Sequence, residues 1–359
     1  MSQPRGQRLL VVRNDKLGDF MLAWPALACL KQAHPDNRVS VLVPSYTAGL
    51  ARACPWVDEV LVDPGDAATR REQRALLAGL RERRFDALLT LFSTPRIGWL
   101  GWRAGIALRL APATKWAQVF YNRRIVQRRS RSARPEYRYN LELAETLLAQ
   151  LGQPIPALEP PYWPLPSATR AEQRRRLARE CGLDVRRRWG FVHGGSGGSA
   201  VNLTPARYAE LVAAIDARLD TPPEWVLTSG PGEHAAAAAL CDEIAARGVA
   251  AQVMPPRDDL VDFAHGLSAA DLLIAGSTGP LHIAGCLDVP TAGFYPAKRS
   301  ATPLRWQTCN RDIHRLAFSP PAHEHATDMS RIDIEAAAQA IAGWWPTSTE
   351  PPMPATGSR

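Results

Sequence analysis

Short, mostly apolar runs of four to six residues recur along this chain, most of them followed by a small or polar turn and then by apolar residues at helical spacing. They fall at 8–13, 39–43, 57–62 and 87–92 in the first half, and at 189–193, 225–229, 250–253, 272–275 and 291–295 in the second. Such runs are too short for helices and show no polar alternation, which is how a strand buried on both faces reads. Strands alternating with helices require crossover connections and therefore a parallel sheet with helices on both faces. The pattern predicts an α/β protein with helices over 21–33, 67–83, 97–104, 141–151, 167–181, 205–219, 260–269 and 332–345. From Leu108 to Arg138 the alternation gives way to a basic, irregular span, read as a substrate-facing loop.

The alternation stops and restarts around QPIPALEPPYWPLPSATR, a proline-dense segment with the composition of a stiff linker. The expected organisation is a Rossmann-like domain over 1–153, a Pro-rich linker over 154–166, a second Rossmann-like domain over 167–345 and a disordered tail over 346–359. Two doubly wound domains joined in this way face each other across a cleft. Ligands in such sheets bind outside the carboxyl ends of the strands, so the turns there are the candidates for chemistry.

Composition narrows the partners. The net charge of +8 calls for something anionic. Arginines cluster at 81–84, 123–138 and 174–188 without interleaved aromatics or a recognition module, which argues against nucleic acid. An anionic membrane surface or a phosphorylated glycolipid would attract the same charge, and a solvated helix face explains the first and third clusters equally well. The six cysteines are scattered without CxxC spacing and read as reduced thiols. No apolar run is long enough to span a bilayer, and the short basic lead into the first strand lacks a signal-peptide core, so a cytoplasmic protein is expected, with peripheral contact to the inner membrane surface as an option.

Four turns stand out. After the first strand comes NDKLGDF, holding Asp15, Lys16, Gly18 and Asp19. A carboxylate there can take a proton from a sugar hydroxyl, although Asp19 is equally placed to cap the next helix. In the second half, GGSGGS at 194–199, SGPGE at 229–233 and GSTGP at 276–280 each follow a strand. Small residues let a ligand reach the backbone, and the helix that follows presents free N–H groups and the positive end of its dipole to an anion. Pro280 suits the first helical turn because it has no N–H, and His282 in that turn is expected to face the ligand. Each turn alone also fits a plain crossover, but together they suit a nucleoside diphosphate. Glu233 is placed either to hold a ribose hydroxyl pair or to stabilise its own helix. The sequence lacks the GxGxxG fingerprint of nicotinamide enzymes, a Walker loop, a GxSxG elbow and zinc-ligand spacing; the HEH run at 323–325 is too short for a metal site.

These residues resemble the heptosyltransferase family of glycosyltransferases, which elongate the lipopolysaccharide inner core. LLVVRNDKLGDFMLAWPAL is similar to that family's opening and GSTGPLHIAGCLDVPTAGFYP to its donor motif; FVHGGSGGSAVNLTPARYAEL, SGPGE, FYNRR and NLEL match in order and spacing. The resemblance implies a glycosyltransferase B fold and inverting, metal-independent transfer without a cofactor from a nucleotide-sugar donor, ADP-heptose in well-known members. It implies Asp19 as general base, with Ser196, Gly197, Thr278, Gly279 and Pro280 around the diphosphate, Glu233 on the ribose and His282 in the donor motif. Lys16, Gly18, Asn122 and Arg123 then fall to the anionic glycolipid acceptor. The chain departs from the family at Val201, where a basic residue is usual, at Ser277, where an Asp binds sugar hydroxyls, and at Pro135 and Arg138 in the HxxExN pattern.

Overall fold

The computed structural model describes residues 5–113, 116–195, 197, 201–321 and 325–348, the last three as backbone. The chain divides into two compact units, Met1–Trp163 and Pro164–Arg359, at a point inside the proline-rich segment.

The first unit contains strands β1 (Arg8–Val12), β2 (Arg38–Pro44), β3 (Glu59–Asp63), β4 (Ala87–Thr90), β5 (Leu108–Pro112) and β6 (Arg123–Ile125). They form one parallel sheet in the order β3-β2-β1-β4-β5-β6. Helices α1 (Leu17–Met21), α2 (Trp24–Gln32), α3 (Ala48–Ala53), α4 (Arg70–Arg83), α5 (Pro95–Arg103) and α6 (Glu136–Gln150) connect and cover the strands. The expected helix over 21–33 is two helices, α1 and α2, broken at Leu22 and Ala23 and restarted with Pro25 in the first turn of α2. Residues 108–138, expected to be loop, supply β5 and β6 instead. Both strands are short and arginine-bearing, and β6 is an outermost strand half open to solvent, so neither shows the apolar run of an inner strand. On one face of the sheet, Leu77 and Leu80 of α4 and Ile97 and Leu100 of α5 join Leu10, Val12 and Leu88 in a single apolar core.

The second unit opens with α7 (Ser167–Cys181) and contains β7 (Trp189–His193), β8 (Glu224–Leu227), β9 (Ala251–Val253), β10 (Leu272–Gly276), β11 (Thr291–Phe294) and β12 (Arg315–Phe318). All pair in parallel, in the order β12-β11-β10-β7-β8-β9. The helices are α8 (Pro205–Asp216), α9 (His234–Ala245), α10 (Leu260–Leu267), α11 (Gly279–Cys286), α12 (Pro303–Trp306) and α13 (Ile334–Ser348). Backbone helix therefore reaches Ser348, inside the stretch expected to be tail. A buried cluster of Trp225, Trp345, Tyr208, Phe294, Leu272 and Ile274 fixes α8 and α13 on one face of this sheet.

Numbered within each unit, both sheets run 3-2-1-4-5-6, the doubly wound order. The order reverses between β1 and β4 in the first unit and between β7 and β10 in the second, and the crevice at such a reversal is where ligands bind. The residues that leave β1, β7 and β10 at their carboxyl ends are thus singled out by topology.

Candidate active site

In the first unit, β1 is followed directly by an arginine. Arg13 is 3% exposed and its guanidinium is fully engaged by side chains. Its Nε donates to Asp15 Oδ1 at 2.7 Å, one terminal nitrogen to Asp19 Oδ1 at 2.5 Å, and the other to Glu136 Oε1 at 3.2 Å and Asn140 Oδ1 at 3.3 Å. Glu136 and Asn140 stand on the first turns of α6, and Arg129 also donates to Glu136 Oε1, at 2.6 Å. The network continues outward: Tyr46 Oη donates to the Asp15 carbonyl at 2.6 Å, and Asn14 and Arg96 both donate to Asp63, at 2.7 and 2.5 Å.

This packing decides the protonation chemistry. Burial works against the charge of Arg13, but the three surrounding carboxylates overcome it and hold the guanidinium firmly protonated. Burial pushes the Asp15 carboxyl up to about 6 against the pull of Arg13. It also raises the Asp19 carboxyl above the usual range, where the attraction of Arg13 is opposed by Glu136 as well. A buried carboxylate whose pKa is raised above the usual range is a stronger base than one in water. Asp19 does not cap its helix: Lys16 holds the N-cap position of α1, and Asp19 lies within the first turn with its side chain on Arg13. Lys16 is exposed, and Gly18 lies between it and Asp19 at partial exposure.

Asn122 and Arg123 are placed elsewhere. They stand at the amino end of β6, where Asn122 accepts from Arg109 N–H at 2.9 Å and donates to the Ala107 carbonyl at 2.6 Å, while Arg123 donates to Gln150. Asp19 follows the carboxyl end of β1, so the structure does not bring these two residues to the acid cluster. Their contacts tie β5, β6 and α6 together.

In the second unit, adjacent strands bring the three turns together. Residues β7 His193 and β10 Ala275 are in register, so the turns after these strands leave side by side, with the turn after β8 on the other flank. Glu233 knits two of them: its carboxylate accepts from Gly197 N–H at 2.9 Å and from Gly230 N–H at 3.0 Å. A Cβ on Gly195 would lie 2.1 Å from Glu233 Oε2, so any larger residue there displaces that carboxylate, and Gly197 has φ +52°, in the left-handed region. Asn202 ties in the third, donating to the Gly194 carbonyl at 3.0 Å, accepting from Tyr208 Oη at 2.6 Å, and lying 2.3 Å from where a Cβ on Gly276 would be. Ser196 lies outside the described residues.

The GSTGP turn leads into α11 as expected. Thr278 is the N-cap, its hydroxyl turned back to the Gly276 carbonyl at 3.2 Å and making no side-chain cap, with Gly279 and Pro280 opening the helix. Ser277 is half-buried and its N–H donates to Phe294. His282 does not face solvent: it is 3% exposed, its Nδ1 has no hydrogen-bond partner among the described residues, and burial holds its ring neutral with the pKa down to about 4. His193, at the end of β7, is likewise buried and lowered to about 4 by burial, despite Glu233 3.8 Å from Nε2; its Nδ1 meets Thr228 Oγ1 at 3.0 Å. Val201 is exposed, as are Lys298 and Arg299, whereas Arg305 is buried with its guanidinium over Trp306.

Sequence reasoning passed over Arg13, His193 and Asn202. A signal was present for the first: an arginine directly continuing a buried strand must find carboxylates or not be buried at all.

Among the described residues no helix is long and apolar enough to cross a membrane. The chain is 43% identical over 347 residues to a Haemophilus influenzae protein whose description goes no further than glycosyltransferase, covering 95% of this chain and 99% of that protein. Its fold is similar to that of the E. coli ADP-heptose lps heptosyltransferase II, with TM-score 0.73 at 16% identity over 95% of this chain and 99% of that one. It is similar also to E. coli heptosyltransferase WaaC with ADP, with TM-score 0.70 at 18% identity over 94% and 99%, and to a glycosyltransferase family 9 structure from Veillonella parvula, with TM-score 0.75 at 16% identity over 96% and 99%. The profile of glycosyltransferase family 9 (heptosyltransferase) matches residues 73–328, and with that span and the full-length relative the chain belongs to glycosyltransferase family 9.

Proposed function

We propose that this glycosyltransferase moves a heptose from ADP-heptose to a sugar of the lipopolysaccharide inner core, with inversion at the anomeric carbon and without a metal. The observation that carries the reading is the pairing of chemistries at the two sheet reversals. One holds a carboxylate of raised basicity at Asp19, and the other a set of glycine turns ending on an uncapped helix start at Thr278. Relatives of this fold have been solved as an ADP-heptose lps heptosyltransferase and with ADP and ADP-2-deoxy-2-fluoro heptose, which supports the donor.

In this reading Asp19 takes the proton from the acceptor hydroxyl as its oxygen attacks the anomeric carbon. The bond to the donor diphosphate breaks on the opposite side. Backbone N–H groups at the head of α11 and in the glycine turns stabilise the departing charge; their dipoles are fixed before the reaction begins, so no reorganisation opposes it. Arg13 keeps Asp19 aimed and its charge stable, and the neutral rings of His193 and His282 leave the diphosphate surroundings without an added titrating charge at pH 7. Glu233 is already held by two N–H groups, so it shapes the turns and offers its remaining lone pairs to the ribose.

The experiment is transfer from ADP-heptose to a purified inner-core acceptor, in excess chelator, by wild type and Asp19→Asn. The expected result is chelator-resistant transfer by the wild type, with turnover in the variant lower by about 10²-fold or more and donor affinity retained. Unchanged turnover in Asp19→Asn overturns the general-base role. Binding of ADP-heptose without transfer would identify a donor binder that has lost turnover, the alternative for which the missing basic residue at Val201 is the motivating feature.

A further inference from the structure

From Ala87 to Pro135 the sequence holds nine arginines, one lysine and no aspartate or glutamate. Within that stretch α5, PRIGWLGWR, reverses the ordinary distribution of sizes on an amphipathic helix. Its inward face has Gly98 and Gly101 beside Ile97 and Leu100; a Cβ on Gly101 would lie 2.4 Å from Leu88 Cδ2, and one on Gly98 would lie 2.9 Å from Phe120 Cβ. The small residues let α5 lie close to the sheet and to the neighbouring 3-10 turn Trp116–Phe120. Its outward face carries Trp99 and Trp102, 39% and 52% exposed, where a helix facing water carries polar side chains.

The exposed rings form one ridge. Trp102 and Trp116 each lie 6.4 Å, centroid to centroid, from Phe120, and Trp116 and Val119 are 65% and 67% exposed. Arg103 sits over the Trp99 ring at 5.9 Å, and exposed Arg123 and Arg124 follow the turn on β6. Tryptophan rings with guanidinium groups beside them match the headgroup layer of a bilayer, where the ring body meets acyl chains and the cation meets lipid phosphate. The absence of carboxylates over the whole stretch means nothing on it repels an anionic surface, while two copies of it would repel each other. The head of α5 is also joined to the acid cluster's loop, because Arg96 and Asn14 share Asp63.

We propose that this ridge is a docking surface for an anionic phospholipid bilayer. Trp102, Trp116 and Val119 enter the interface and the flanking arginines hold the phosphates, so the unit carrying Asp19 works on the membrane face. The surface acts on phospholipid alone and needs neither a sugar acceptor nor transfer, so its test is separate from that of the proposed reaction.

The test is flotation of the full chain with vesicles of phosphatidylcholine, with and without phosphatidylglycerol and with no glycolipid. Expected is flotation with the anionic vesicles that falls as salt rises, and quenching of tryptophan emission by brominated acyl chains. Trp102→Ser with Trp116→Ser should weaken partitioning about tenfold or more while leaving the melting temperature in place, because both rings are exposed; Trp→Phe at the same sites should keep most of it. No flotation with anionic vesicles at low salt overturns the proposal, as does flotation that the serine pair leaves unchanged. A wild-type dimer that the serine pair converts to monomer overturns it as well, by assigning the ridge to a second copy of the chain.

Discussion

Arg13 shows how one buried cation can organise three acids. A guanidinium has donors in a fixed fork, and here each edge is committed to a different carboxylate or amide, so Asp15, Asp19 and Glu136 cannot move independently. Because burial outweighs the help of Arg13 at Asp15, the folded protein binds a proton there up to about pH 6, where an ordinary Asp has released it near 3.8. The folded state therefore holds more protons than the unfolded chain between those values. Stability from this group is greatest below the unfolded pKa and is lost as pH rises toward 6. Asp15→Asn, which still accepts from Arg13, should be more stable than wild type at pH 7 by up to about 3 kcal/mol and converge with it near pH 4. The same substitution removes a negative neighbour from Asp19, so the acid limb of kcat/KM should move to lower pH. Equal stability of the two proteins at pH 7 would show that Asp15 ionises at its ordinary value.

Among the elements, most strands were legible, the outermost β3 and β9 included, whereas β5, β6 and β12 were not. β1, β4, β7 and β10 are buried on both faces and read as unbroken apolar runs; β6 and β12 are outermost, open with arginine, and disappear into what looks like loop. The candidate turns follow inner strands, so they were found for the same reason. What the residues could not give was the partner of each polar group. Glu233 serves the turn of Gly197 as well as its own, Asn122 braces β5, and His282 turns inward, none of which local residue patterns specify. The glycine contacts make this testable. Gly195→Ala forces the Glu233 carboxylate aside and Gly276→Ala forces Asn202 aside, and neither needs a positive φ. Each should weaken binding of ADP at least about tenfold in calorimetric titration, with a smaller loss of thermal stability, since the crowded atoms are the polar ends of Glu233 and Asn202 and not apolar side chains. Unaltered ADP affinity in both variants would remove these turns from the nucleotide site.

Over the whole molecule, the two units repeat one sheet order but carry opposite titrations. His193 and His282 are held neutral with pKa down to about 4, whereas an unfolded histidine protonates near 6.5. The second unit thus loses stability as pH falls through that window, while the raised carboxyls at Asp15 and Asp19 make the first unit gain. Scanning calorimetry should resolve two transitions that move in opposite directions between pH 7 and pH 5. ADP should raise only the transition of the second unit. A single transition that shifts as one with both pH and ADP would contradict this. The division between Trp163 and Pro164 has one more consequence, for biosynthesis. All six strands of the first sheet and the helices that cover it are encoded before any strand of the second. The leading half can complete its sheet while the ribosome is still translating the trailing half, and the nascent chain never has to wait with a long parallel sheet half-built and its apolar edges open.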